Sequence, residues 1–383
     1  MKQLKVALVH DYLLQNGGAE KTLEAICELY PNAPIYTSGY KEKPFKKSVI
    51  SKREIIVPKG ANFLFNLFPI LSKYFTFLRP LIFEDFDLSQ FDIVISDSSA
   101  YAKGVLTKPN QLHICYIHTP PRFLYKYSVE STKRNAWYYK PVVMYVDHFL
   151  RLWDYLAAQR PDYLVANSNE IKKRIKKFYN REATIIYPPV ELANKQYSET
   201  INEDYFLIAG RLVAYKNFDV VIKAFNELPN LNLYIIGSGN TETELKKLAK
   251  QNTKFLGRVT DEDKHKYMNG CLGLINSVKD EDFGIVPIEV LSHGKPVLAH
   301  RSAGHLETVI ENKTGMYFDD LEVDHLKNKI LEFHKKIKAN DFNKDFIIQS
   351  SQKFSKEEFM EKFKAFVKDK WTAFEVDNKA EIS

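Results

Sequence analysis

Cysteine is scarce in this chain. Its three cysteines, Cys27, Cys115 and Cys271, are scattered among apolar neighbours. That spacing argues against a disulfide framework or thiolate metal site and reads as buried thiols in a reducing compartment. Uninterrupted hydrophobic runs are missing too. The greasiest stretches, residues 61–83 and 137–155, are broken by lysine, arginine, proline and aspartate, which a membrane-spanning helix would carry at high cost. No small-residue cleavage pattern follows the run Val6-Ala7-Leu8-Val9, which stops at His10-Asp11. It reads as a first strand and not a signal peptide. The chain also lacks low-complexity tracts, the dinucleotide fingerprint and the Walker lysine spacing. The expected location is cytoplasmic.

What is present is ordinary globular composition, 45% hydrophobic and 27% charged. A length of 383 residues exceeds what one core usually serves, so two domains of about 150 to 200 residues are expected. The net charge of +7 suits any anionic partner, whether nucleic acid, membrane face or phosphorylated substrate. Its distribution says more. Lys41, Lys43, Lys46, Lys47, Lys52, Arg53 and Lys59 stand against Glu42 and Glu54, and the aromatic-rich residues 63–86 follow. A solvated face beside ordinary helical core is one reading; a cationic rim beside an insertion surface for anionic lipid is the other.

Strand-like runs alternate with helical patterns along the whole chain. In the first half the strands are residues 5–9, 35–37, 92–95, 112–117, 163–166 and 184–186, several of them continuously apolar as in sheets covered on both faces. After Gly17-Gly18-Ala19-Glu20, the residues Leu23, Ile26, Cys27 and Tyr30 share one helix face. Pro188-Pro189 and the polar residues 195–204 mark a linker. A second series starts at once: strands at 205–209, 231–236, 254–256, 272–275 and 296–299, with helices at 218–228, 242–249, 261–268, 286–293 and 306–310. The architecture expected is α/β, two doubly wound Rossmann-like domains facing across a cleft, with domains at 1–190 and 191–354. Residues 355–383 hold a terminal helix from about Lys356 to Val367, whose Phe359, Phe363, Phe366 and Val367 need a surface to pack on. From Asp377 the polar end is expected to fray.

The residues that carry chemistry sit at strand ends. Gly17 and Gly18 allow close backbone approach at a helix start, where free N–H groups favour an anion. A tight turn explains them equally well. His118 ends an apolar strand in His118-Thr119-Pro120-Pro121-Arg122-Phe123; alone it reads as a structural histidine, and with an opposite domain that binds phosphate it reads as a hydroxyl contact. His113 lies an odd number of residues away and faces the other side of the strand, so the two make a poor metal pair. Arg211 and Lys216 follow strand and glycine, their charges without obvious local partners, and suit a clamp on both phosphates of a leaving nucleoside diphosphate. Gly237-Ser238-Gly239 and Gly257-Arg258-Val259 repeat the strand–glycine–helix arrangement on the same sheet edge. Glu281 lies in a loop bent at Phe283-Gly284. Glu289 falls among apolar helix residues, where a carboxylate needs a specific partner such as a pair of ribose hydroxyls. Acidic pairs one residue apart occur at Asp85/Asp87, Asp261/Asp263 and Asp280/Asp282, but Arg211 and Lys216 supply the neutralisation a metal would give, so no metal is expected. Cations, glycines and spaced carboxylates together suit a site that grips a sugar nucleotide for group transfer.

These motifs carry a resemblance. From Gly17-Gly18-Ala19-Glu20 through His118, Gly210-Arg211-Leu212 with Lys216, and Gly237-Ser238-Gly239 to Glu281-Asp282-Phe283-Gly284-Ile285-Val286-Pro287-Ile288-Glu289, the chain resembles retaining glycosyltransferases of the fourth sequence family, with the GT-B fold. The His118 block is similar to members that use GDP-mannose in bacterial surface-polysaccharide or lipopolysaccharide assembly. The resemblance implies Gly17 and Gly18 near the donor phosphate, His118 on the transferred sugar, and Arg211 and Lys216 on the diphosphate. It implies Glu281, with the backbone at Phe283 and Gly284, orienting the sugar, Ile285 within the same donor site, Glu289 on ribose, and Arg258 and Val259 by the base. The terminal helix would cross back to the first domain. The partners implied are a nucleotide sugar and a lipid-linked saccharide acceptor at the inner membrane face, with no nucleic acid. A UDP-sugar donor, a sugar-nucleotide epimerase, a phosphorylase and a non-catalytic carbohydrate-assembly scaffold are the rival readings.

Overall fold

The computed structural model describes residues 4–58, 78–128, 140–193 and 203–380. The chain forms two compact units, one with Met1–Tyr127, Ser131–Pro189 and Lys356–Ser383, the other with Ser128–Glu130 and Val190–Ser355. The first is built on a seven-stranded sheet in the order β3-β2-β1-β4-β5-β6-β7. Its strands are β1 (Val6–His10), β2 (Ile35–Thr37), β3 (Ile55–Ile56), β4 (Ile93–Ser98), β5 (Leu112–Ile117), β6 (Tyr163–Ala166) and β7 (Thr184–Ile185). All neighbours are parallel.

Two-residue periodicity divides the core. Val6 and Leu8 enter a cluster on one face of the sheet, while Ala7 and Val9 enter another. This is why β1 has no polar residue before His10: both faces are covered. Asp11, directly after β1, is buried and accepts four backbone N–H groups, from Ser99 (2.6 Å), Ala100 (2.8 Å), Tyr101 (2.6 Å) and Ala102 (2.7 Å). One carboxylate thereby sets the exit path of β4.

The terminal helix, Lys356–Ala380, packs on this first unit. Phe359, Phe363 and Val367 are in its core, with Tyr116 of β5 edge-on to Phe359 at 5.9 Å and to Phe363 at 6.3 Å. Each such burial stabilises by roughly 1.5–3 kcal/mol. The helix runs well past Val367, and Asp377 is still helical, because Trp371 and Phe374 continue the stripe against the same cluster.

Helix Lys140–Ala157 is turned inside out. Its buried face carries Asp147, Leu150, Asp154 and Ala157, while Val142, Tyr145, Phe149, Leu152 and Leu156, at spacings of three and four, are exposed. Polar contacts explain the burial of Asp154. It lies 2.6 Å from Lys103 Nζ and accepts from Tyr125 Oη (2.8 Å) and Tyr179 Oη (2.9 Å). No helix of the described residues is long and apolar enough to cross a membrane.

The second unit has a six-stranded parallel sheet in the order β10-β9-β8-β11-β12-β13. Its strands are β8 (Tyr205–Ala209), β9 (Asn232–Ile236), β10 (Thr253–Gly257), β11 (Gly273–Asn276), β12 (Val297–His300) and β13 (Gly315–Phe318). The same alternation holds: Phe206 and Ile208 enter one cluster, Tyr205 and Leu207 the other.

Candidate active site

Open parallel sheets offer ligands the crevice outside their strands' carboxyl ends, where strand order reverses. That point lies between β8 and β11 in the second sheet and between β1 and β4 in the first. Arg211 and Lys216 follow β8, and Glu281 follows β11. Order reversal thus brings distant residues to adjacent exits.

Lys216 closes a short 3-10 turn, Ala214–Lys216, and Asn217 after it is left-handed at φ 55°. Ser277 Oγ donates to the Lys216 carbonyl (2.7 Å), and Asn217 Nδ2 to the Ser277 carbonyl (3.1 Å). These bonds sew the two exits together. Lys216 Nζ lies 3.7 Å from Glu281 Oε2. The cation that had no partner by sequence is therefore paired, across the sheet's switch point, with the first of the two glutamates. Arg211 is exposed and also has a partner within the protein.

The glycines have a packing reason. A Cβ on Gly237 would stand 1.8 Å from the Gly210 carbonyl oxygen, and one on Gly239 would stand 2.0 Å from that of Leu212. Leu212 N–H donates to the Ser238 carbonyl (3.0 Å) and Gly237 N–H to that of Gly257 (2.8 Å). Three strand exits thus touch backbone to backbone, which no side chain would allow. Arg258 Nε donates to Ser238 Oγ (2.7 Å), and Val259 packs against the core on that face.

The acidic loop is bent at Gly284, φ 95°, into helix Ile285–Ser292. Phe283 is buried edge-on to Phe354 at 5.5 Å, which anchors the loop. A second turn, Ser302-Ala303-Gly304-His305, clasps it. Gly304 N–H donates to the Glu281 carbonyl (2.8 Å) and Asp280 N–H to Ser302 Oγ (3.3 Å), and a Cβ on Gly304 would meet the Phe283 backbone at 2.6 Å. Sequence reasoning passed over this turn, although it repeats the strand–glycine–helix pattern of the other exits.

Glu289 is buried and its partner in the structure is Lys264, Nζ to Oε1 at 2.8 Å. Burial pushes its carboxyl above the ordinary value, with Lys264 opposing. His265 Nδ1 and His293 Nε2 meet at 2.9 Å and tie the Lys264 helix, Asp261–Gly270, to the end of the Glu289 helix. Burial first, then the charges around it, pushes His293 down to about 4, so this pair is neutral near pH 7.

In the first unit, Gly17 caps helix Gly18–Leu29 and donates its N–H to Glu20 Oε2 (2.9 Å). His118 follows β5. Its Nε2 lies 2.6 Å from Asp97 Oδ1, while His10 Nδ1 lies 2.9 Å from Asp97 Oδ2 and His10 Nε2 lies 4.0 Å from Glu20 Oε1. Neither His10 nor Asp97 stands among the residues singled out by sequence. Burial works against a charge on His10, but the Asp97 hydrogen bond and the charges of Asp97, Glu20 and Asp11 outweigh it and raise the ring to about 9. Stability drawn from this rise is complete below the unfolded value of 6.5 and lost as pH climbs through about 9. Urea titrations across that window should show the wild type losing on the order of 3 kcal/mol, and His10→Gln losing much less. Parallel profiles would remove His10 as the cause.

Among the described residues no group of three or more His, Cys, Asp and Glu side chains gathers as a metal site would require. Comparison with known proteins matches residues 16–194 to the model of Glycosyltransferase Family 4 and residues 190–350 to that of Glycosyl transferases group 1. An uncharacterized glycosyltransferase of Methanocaldococcus jannaschii is 29% identical over 46% of this chain and 50% of its own length. O-antigen chain mannosyltransferase C of Escherichia coli is 28% identical over 46% of this chain and 48% of its own. The chain thus spans about half the length of these two relatives. Alpha-1,3/1,6-mannosyltransferase ALG2 of Dictyostelium discoideum is 22% identical over 89% of this chain and 94% of its own. Among solved structures, Anabaena HepE in complex with UDP superposes with a TM-score of 0.68 at 16% identity, covering 96% of this chain and all of HepE. Two family models that together run from residue 16 to residue 350, on two parallel Rossmann-like sheets, make this chain a glycosyltransferase of the GT-B fold, within the superfamily of group 1 and family 4.

Proposed function

We propose that the chain moves a hexose, with retention at the anomeric carbon, from a nucleoside diphosphate sugar to a hydroxyl of a lipid-linked saccharide. The observation that carries this reading is the meeting of Lys216 and Glu281, 3.7 Å apart, at the second sheet's switch point, where Arg211 also follows β8. The bond from the anomeric carbon to the diphosphate oxygen breaks, and negative charge grows on the phosphate where Arg211 and Lys216 offset it. The acceptor oxygen bonds to the same face of the carbon, and its proton passes to the leaving phosphate. Glu281 orients the sugar together with the Phe283, Gly284 and Ile285 backbone, and His118 takes a sugar hydroxyl. Gly17 and Gly18 serve the donor phosphate, Gly237 and Gly239 hold the mouth of the donor site, and Arg258 and Val259 flank the base.

A UDP-hexose is the first donor to test, because HepE, whose fold this chain shares nearly end to end, was solved with UDP. GDP-mannose is the second, supported by the His118 block and by the two mannosyltransferase relatives. Incubation with uracil, guanine and adenine sugar nucleotides and lipid-linked acceptors should release nucleoside diphosphate with an extended acceptor. A free or isomerised sugar formed without an acceptor would mean an epimerase, a requirement for inorganic phosphate a phosphorylase, and no product a scaffold.

Glu289 is assigned to the ribose hydroxyls, in competition with Lys264. Glu289→Gln should weaken binding of the free nucleoside diphosphate by roughly 10-fold or more. Calorimetry returning wild-type affinity would withdraw the assignment.

Peripheral attachment to the anionic inner face of the cell membrane belongs to the same proposal. The aromatic part of the region first suspected lies mostly outside the described residues, but helix Lys140–Ala157 supports the idea. Tyr145 is 68% and Leu156 60% exposed on its outer face, while both its aspartates are buried. Salt-sensitive binding to anionic vesicles is the expected result.

A further inference from the structure

We propose that Asp97 and His10 are positioning residues for His118: one buried carboxylate, shared between two imidazoles, fixes the His118 ring with Nε2–H turned into the protein and Nδ1 left for a ligand hydroxyl. This deepens the transferase reading and rests on it for the ligand's identity. Three strands meet to make the arrangement. Asp97 lies on β4, between β1, which ends at His10, and β5, which His118 follows, so the carboxylate stands between the two imidazoles, one oxygen on a nitrogen of each. Asp97 is 1% exposed. Burial would raise its carboxyl, yet the charges and hydrogen bonds of His118 and His10 hold it below the ordinary value. It is ionised at neutral pH and so accepts only.

Consequences for each ring follow from that. An imidazole nitrogen 2.6 Å from an acceptor-only oxygen carries the proton, so His118 has its hydrogen at Nε2. In the neutral ring the lone pair is then at Nδ1, ready to accept from a hydroxyl. The ring's backbone is held as well: His118 N–H donates to the Ser98 carbonyl (2.9 Å), Asn167 Nδ2 donates to the His118 carbonyl (2.9 Å), and Tyr116 stands edge-on to the ring at 5.2 Å. His10 gives the second half of the device. Charged at neutral pH, it balances Asp97, so the carboxylate need not take its whole counter-charge from His118. Its other nitrogen faces Glu20, whose second oxygen accepts the Gly17 N–H. The groups are thus linked from the Gly17 turn, through Glu20, His10 and Asp97, to His118.

The test reads the ring directly. Protein labelled with nitrogen-15 histidine, with the His118 signals assigned by their loss in His118→Gln, reports the tautomer through long-range proton–nitrogen NMR. The wild type should show the Nε2–H form of His118, and Asp97→Asn should shift it toward a mixture. Asp97→Asn should also lower kcat by roughly 10- to 100-fold, the range for loss of a partner that orients a functional histidine, with a smaller change in donor KM. His10→Gln should move both readouts in the same direction. A wild-type ring in the Nδ1–H form would overturn the proposal, as would a folded Asp97→Asn protein with wild-type kcat. Should Asp97→Asn not fold, the wild-type tautomer and His10→Gln decide the matter. Failure of every donor to give product would defeat the transferase reading instead, since the tautomer is read without substrate.

Discussion

Replacing Lys216 with alanine is expected to lower turnover by roughly 10²-fold or more at saturating donor, the scale for losing one donor that stabilises transition-state charge. The effect should fall on kcat, because the charge that Lys216 offsets grows only as the sugar–phosphate bond breaks. Folding should hardly change. The Lys216–Glu281 pair is 3.7 Å apart with both side chains partly exposed, a geometry worth little in stability. The backbone at Lys216 is fixed by Ser277 and Asn217, whose bonds do not involve the deleted amine. A folded Lys216→Ala protein with normal turnover at saturating donor would end the assignment of Lys216 to the diphosphate.

Replacing Asp154 with alanine should cost about 3–5 kcal/mol of stability, the range for leaving one member of a buried ion pair without its partner. Lys103 and Asp154 have side chains 2% and 1% exposed. Deletion leaves the buried Lys103 ammonium without its counter-charge, with the Ala100 carbonyl as remaining acceptor and the Trp153 and Tyr179 rings within 6 Å, and leaves the Tyr125 and Tyr179 hydroxyls without their shared acceptor. Asp154→Asn should recover only part of the loss, since an amide serves the hydroxyls but not the cation. Urea unfolding followed by tryptophan fluorescence would measure both. A loss below about 1 kcal/mol in the alanine variant would mean that Lys103 finds another partner or water.

The alternating architecture was legible because strands covered on both faces must be apolar throughout. Val6 to Val9 and Tyr205 to Ile208 read as strands from that property alone, and they are strands in the structure. Strand ends shifted by up to three residues where polar groups still fit the ladder: β4 continues through Ser96, Asp97 and Ser98, which no apolar pattern marks. Helix Lys140–Ala157 shows where the principle misleads. Its apolar stripe suggests a core face, but the buried Asp154, satisfied by a lysine and two tyrosines distant in sequence, sets which side faces in. The candidate site divides in the same way. Residues at strand exits were legible individually. Pairings among them were not, because strand order and helix packing decide them: Lys216 with Glu281 and His10 with Asp97 across the switch points, Glu289 with Lys264 between neighbouring helices, and His118 with Asp97 between neighbouring strands.

The terminal helix has a consequence for how the protein is made. Phe359, Phe363 and Val367 are translated after every other residue of the N-terminal core they complete, so that core cannot close before the last segment is made. The earlier-made unit must wait, its sheet lacking one cover, until the last segment arrives. A chain ended at residue 355 would therefore carry an N-terminal unit without the Phe359 and Phe363 rings that cover Tyr116, apolar surface of the kind that draws chaperones.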